Sequence, residues 1–61
     1  MIGAKEVKAL RDKLGITQEE LAVRADIPVS SIQNYEQARS RPTKHYRRHL
    51  LPLFKEAGMK V

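Results

Sequence analysis

Cysteine and tryptophan are missing from this 61-residue chain, and its only aromatic residues are Tyr35, Tyr46 and Phe54. Without cysteine there is no disulfide scaffold, no thiolate zinc site and no thiol nucleophile. Three core-like aromatics are too few for a platform that stacks single-stranded bases. No apolar run approaches the roughly 18 residues of a membrane span. The opening Met1-Ile2-Gly3-Ala4-Lys5-Glu6 has no signal-peptide core. A chain this short buries only about 60% of the surface its unfolded form exposes. That leaves little wall for an enzyme pocket of about 300–1,000 Å³. The serines have no identifiable base, and there is no glycine-rich phosphate loop. The expectation is one soluble intracellular domain over residues 1–61, with no enzymatic activity, no catalytic residues and no cofactor.

Acidic residues are absent from one stretch in particular. Residues 39–49 hold Arg39, Arg41, Lys44, Arg47 and Arg48 and no acid, while the rest of the chain balances seven cations against seven acids. The whole net charge of +5 therefore lies in that window. Such asymmetry points to a polyanionic partner, either nucleic acid or an anionic membrane surface.

Apolar spacing gives a series of short helices and no strand. Val7, Leu10 and Leu14 share one face of a helix from about Ala4 to Leu14, and Gly15 supplies the stop. Thr17 and Glu20 form a capping box, and Ile16 and Leu21 form the accompanying hydrophobic staple. A second helix then runs from Gln18 to Arg24 or Ala25, with Leu21, Ala22 and Ala25 inside. Asp26-Ile27-Pro28 interrupts, and a third helix runs from Pro28 or Val29 to about Gln37, with Ile32 and Tyr35 as core residues. Thr43 caps a fourth, whose inner stripe is Tyr46, Leu50, Leu53, Phe54 and Ala57. Pro52 within that stripe implies either a kink or a division into two helices, and Gly58 ends it. The expected fold is all-α, a compact bundle of four to five short helices.

The second and third helices are short, are joined by about three residues, and differ in their outer faces. The third carries Ser30, Ser31, Gln33, Asn34 and Gln37, which are hydrogen-bonding but uncharged. A helix pair of this kind reads as a helix-turn-helix, whose second helix enters the major groove. The run Leu14-Gly15-Ile16-Thr17-Gln18-Glu19-Glu20-Leu21-Ala22 resembles the core of the phage repressor/Cro family, also called the XRE family. Leu10, Arg11, Ile32, Tyr35-Glu36 and Arg41-Pro42-Thr43 extend the likeness over roughly residues 7–58.

The resemblance implies a lambda-repressor-like fold and a sequence-specific regulator of transcription, most simply a repressor. It implies that Val29, Ser30, Gln33 and Asn34 face base edges. Asn pairs bidentately with adenine, Ser bonds either partner, and Val meets a thymine methyl. It implies that Gln18, Ser31, Arg39, Arg41 and Lys44 contact phosphates, the first at a helix N-terminus suited to anions. The partner is then double-stranded DNA, bound by a homodimer on a palindromic operator in the bacterial cytoplasm, with no membrane involved. Leu51, Met59 and Val61 are spare apolar residues for the dimer contact.

The chain departs from the family at two turns. Asp26 stands where the family usually has Gly, and Ala38 stands where Gly usually follows Glu36 by two residues. The second change would allow the third helix to run longer. The fourth helix is more basic than usual, and the pattern gives no role to Arg47 or Arg48.

Other readings of the same residues are an antitoxin or restriction-modification controller on this scaffold, or a protein-interaction module docking through helix 43–57. A membrane-surface helix is a weaker third. His45 and His49 have i, i+4 metal-ligand spacing, but a stable site needs about three or four ligands and no others are at hand. No metal site is expected.

Overall fold

The computed structural model describes residues 2–61. Four helices are present among the described residues: α1 (Ala4–Leu14), α2 (Gln18–Ala25), α3 (Val29–Glu36) and α4 (Lys44–Glu56). There is no strand among the described residues. The boundaries follow from local chemistry. Thr17 Oγ1 accepts from the Glu20 N–H at 3.1 Å while the Glu20 carboxylate accepts from the Thr17 N–H at 3.0 Å, a reciprocal cap worth about 1 kcal/mol. The Thr43 hydroxyl caps α4 by accepting from the Tyr46 N–H.

All four helices close in the same way. The residue two past the last helical one enters α-helical space of the left hand, or its neighbour does, and two crossed backbone bonds finish the turn. Ile16 N–H donates to Arg11 O and Gly15 N–H to Asp12 O; Ile27 donates to Ala22 and Asp26 to Val23. Arg39 donates to Asn34 and Ala38 to Tyr35; Met59 donates to Phe54 and Gly58 to Lys55. This is the Schellman pattern, which favours glycine at the left-handed position. Gly15 (φ 65°) meets that preference, whereas Asp26 (φ 55°) and Ala38 (φ 59°) adopt the same conformation with a side chain. Ala38 therefore does not let the third helix run longer. α3 stops at Glu36, because the closing bonds to Tyr35 and Asn34 hold the chain in the turn a glycine would have made.

Pro52 neither ends nor divides α4, which is assigned as one helix across it. The helix tolerates the missing N–H because Leu50 and Phe54, on either side of it, are fully buried. The core gathers Val7 and Leu10 of α1, Leu21, Ala22 and Ala25 of α2, Ile32 and Tyr35 of α3, and Leu50 and Phe54 of α4. Ile2, Ile16 and Ile27 join it from outside the helices. No helix among the described residues is long and apolar enough to cross a membrane.

Candidate nucleic-acid interface

The placement of α3 begins with an ion pair. Glu36 is the one charged residue within α3 and is only 6% exposed. Its carboxylate receives a forked contact from Arg11 of α1, Nε to Oε2 at 2.5 Å and Nη2 to Oε1 at 2.7 Å. Arg11 Nη1 also donates to the Ile16 carbonyl at 3.3 Å. Arg11 lowers the pKa of Glu36 against the opposing effect of burial, and Glu36 raises that of Arg11. With Ile32 and Tyr35, this fork fixes the inner face of α3. Burial also pushes the Tyr35 phenol up, partly offset by a hydrogen bond from Ser31.

The opposite face of α3 is open. Val29, Ser30, Gln33 and Gln37 are exposed and Asn34 is half-buried. Val29 is 36% accessible, so it is not a core residue. Gln37 lies seven residues after Ser30 and four after Gln33, which puts it on the same stripe. Helical spacing alone adds it to the candidate base readers.

The residues expected to hold phosphate divide into two groups. Arg39, Arg41 and Lys44 are exposed on the loop after α3 and at the first residue of α4. The backbone N–H of Arg39 donates to the Asn34 carbonyl at 2.9 Å, so the start of the basic loop is tied to the candidate reading helix. Gln18 and Ser31 are half-buried and have internal partners, Glu36 and Tyr35 respectively. Either must turn outward, or use its remaining hydrogen-bonding capacity, to meet a phosphate.

Of the two histidines, His49 makes a contact between helices, and His45 is exposed. His49 Nδ1 lies 2.8 Å from the Ala25 carbonyl oxygen, which can only accept, so that nitrogen carries the proton. His45 and His49 rings sit 4.8 Å apart, with Tyr46 edge-on to His49 at 5.9 Å. His49 fastens α4 to the C-terminal end of α2, where an unpaired carbonyl would otherwise remain. Of the spare apolar residues, Met59 is half-buried against the core, while Leu51 and Val61 are each 41% exposed. Leu51 and Val61 rim a depression with Ile2 and Arg47.

Residues 7–46 match the model of a family described as Helix-turn-helix, a span that includes α2, α3, the turn between them and the basic loop. No curated protein and no solved structure matches the chain.

Proposed function

The chain belongs to the Cro/C1-type helix-turn-helix family, whose domains bind DNA and are associated with transcriptional regulation, and on that premise we propose that it represses transcription by occupying a palindromic operator. The supporting observation is the division of labour around α3. Its exposed face is polar and carries no charge, and the loop that follows it carries Arg39 and Arg41 with Lys44 beyond. Cations on a loop give affinity through phosphates, whereas uncharged hydrogen-bonding groups on a helix give discrimination between bases. Val29, Ser30, Gln33 and Asn34 read base edges in the major groove, joined by Gln37. Arg39, Arg41 and Lys44 hold the backbone, with Gln18 and Ser31 beside them.

One eight-residue helix spans few base pairs. Two copies on half-sites about 34 Å apart double the readout. The depression formed by Ile2, Arg47, Leu51 and Val61 is the edge through which the two copies meet. The protein acts where operator DNA lies, in the bacterial cytoplasm. Docking of another protein through the apolar stripe of helix 43–57 is disfavoured, because Leu50 and Phe54 are spent on the core.

Selection of bound duplexes from a random pool tests the proposal. A palindromic consensus that Asn34→Ala relaxes at one base pair of each half-site supports it. No enrichment at low salt, or an Asn34→Ala variant with unchanged affinity and preference, refutes it.

A further inference from the structure

The outward faces of α2 and α4 carry the same spacing with opposite charge. On α2 and its closing turn, Glu19, Val23 and Asp26 fall at i, i+4 and i+7, and all three are exposed. Val23 is 81% accessible, the most open large apolar side chain among the described residues. The three border a shallow depression that continues to Val29 and Tyr46. On α4, Arg48, Pro52 and Lys55 also fall at i, i+4 and i+7, and all are exposed. Pro52 occupies a helix-interior position, where proline is the least favoured residue. The opposite charge next to each face, Arg24 on α2 and Glu56 on α4, has its partner within the chain, the two pairing at 3.7 Å on the surface. One face is left acid–apolar–acid and the other base–apolar–base. Each spans about 10 Å along its helix at 1.5 Å per residue. The two apolar centres coincide to within about 1.5 Å whichever way the helices run.

We infer that these faces bind each other between copies of the chain, α2 of one copy against α4 of the next. Two outward faces of one folded domain cannot meet each other, so the contact is intermolecular. It joins unlike surfaces, so each added copy still offers one face of each kind and the assembly continues head to tail, as a ring where the rotation closes and as an open row where it does not. The six residues of the contact include none of Ser30, Gln33, Asn34, Arg39, Arg41, Leu51 and Val61. It does not depend on DNA binding or on the twofold pair proposed above.

Sedimentation velocity of the full chain without DNA tests the inference. At low salt the weight-average mass rises with concentration and passes twice the chain mass. High salt reverses the rise, because exposed charges are screened beyond about 10 Å at 0.1 M. Glu19→Lys and Arg48→Glu each weaken association by about tenfold, since each turns an exposed attraction into a repulsion. Mixing the two variants restores pairing, because the intact α4 face of one meets the intact α2 face of the other. Lys55→Glu replaces Arg48→Glu if the latter loses its helical circular dichroism, and Glu19→Gln likewise replaces Glu19→Lys. A mass that does not change with concentration at low salt overturns the inference. So does association indifferent to both reversals, or a mixture that stays dissociated. A plateau at twice the mass that neither reversal moves belongs to the twofold edge and also overturns it.

Discussion

Replacing Arg11 by methionine is the most informative test of how α3 is held. The substitution keeps most of the side-chain length but removes the fork to Glu36 and the bond to the Ile16 carbonyl. Glu36 then keeps its burial with only the Gln18 amide as a side-chain partner. Removing one partner of a buried pair costs about 3–5 kcal/mol, because the survivor is an uncompensated charge. The Arg11 side chain is 23% exposed against 4% for Glu36. Water that reaches the guanidinium can reach toward the vacated space, so the cost falls to the lower end of that range or just below it, about 2–3 kcal/mol. A 61-residue domain has a total of about 3–9 kcal/mol. The melting temperature therefore falls by about 10–20 °C, at about 4–8 °C per kcal/mol.

The pH dependence identifies the cause. In the parent protein Arg11 holds the Glu36 carboxyl below its ordinary value. Its contribution is complete above the unfolded pKa and is lost as the pH falls through the lowered folded value. In Arg11→Met, burial dominates and raises the folded pKa of Glu36 above the unfolded one, so acidification stabilises the variant relative to neutral pH. The stability gap measured by urea unfolding thus narrows between neutral pH and about pH 4. Adding Glu36→Leu to the variant recovers most of the loss at neutral pH, because an apolar pair replaces a stranded charge. A loss below about 1 kcal/mol, the range of exposed pairs, refutes the reasoning. So does a gap that does not change with pH.

Three further outcomes follow from local geometry. Pro52→Ala restores an N–H inside α4 and stabilises the domain by up to about 3 kcal/mol in thermal unfolding, provided the variant is assayed at low concentration. Ala38→Gly relieves the left-handed strain at φ 59° and stabilises by up to about 1 kcal/mol, read in the same assay. Arg41→Gln weakens binding to all duplexes alike and lowers the slope of log K against log salt by about one. A sequence-dependent loss would instead make Arg41 a base reader.

Helix ends and inner faces were legible in the sequence because they depend on residues a few positions apart. Thr17 with Glu20, Ile16 with Leu21, and the stripe from Tyr46 to Ala57 all act within about one to three turns. Arg11 with Glu36, 25 residues apart, and His49 with the Ala25 carbonyl, 24 apart, left no periodic trace. An acid in an otherwise uncharged helix was the available signal for the first. Metal-like spacing at His45 and His49 drew attention from the second. Ala38 misled for a related reason. Its residue type argues against a left-handed turn, but the turn is set by the direction the chain must take from α3 to α4, and tertiary context outweighs a strain of about 1–2 kcal/mol. The candidate reading face followed from the helix-turn-helix pattern, while Gln37 needed only the spacing to be carried one turn further.

The way α3 is held bears on how its specificity could change. The helix has eight residues, no side-chain cap at Pro28, no acid in its first turn and no base in its last. Isolated helices shorter than about 12–15 residues are marginal in water, so α3 exists because the domain holds it. Ile32, Tyr35 and the Arg11–Glu36 fork do so from the inner side, and the bonds to Tyr35 and Asn34 close its end. None of these uses the side chain of Val29, Ser30, Gln33 or Gln37. Substitution at those four positions therefore has little structural cost, whereas every inner residue is tied to folding. Asn34 and Ser31 lie between the two faces, half-buried, and are where a change of sequence preference would first meet a loss of stability.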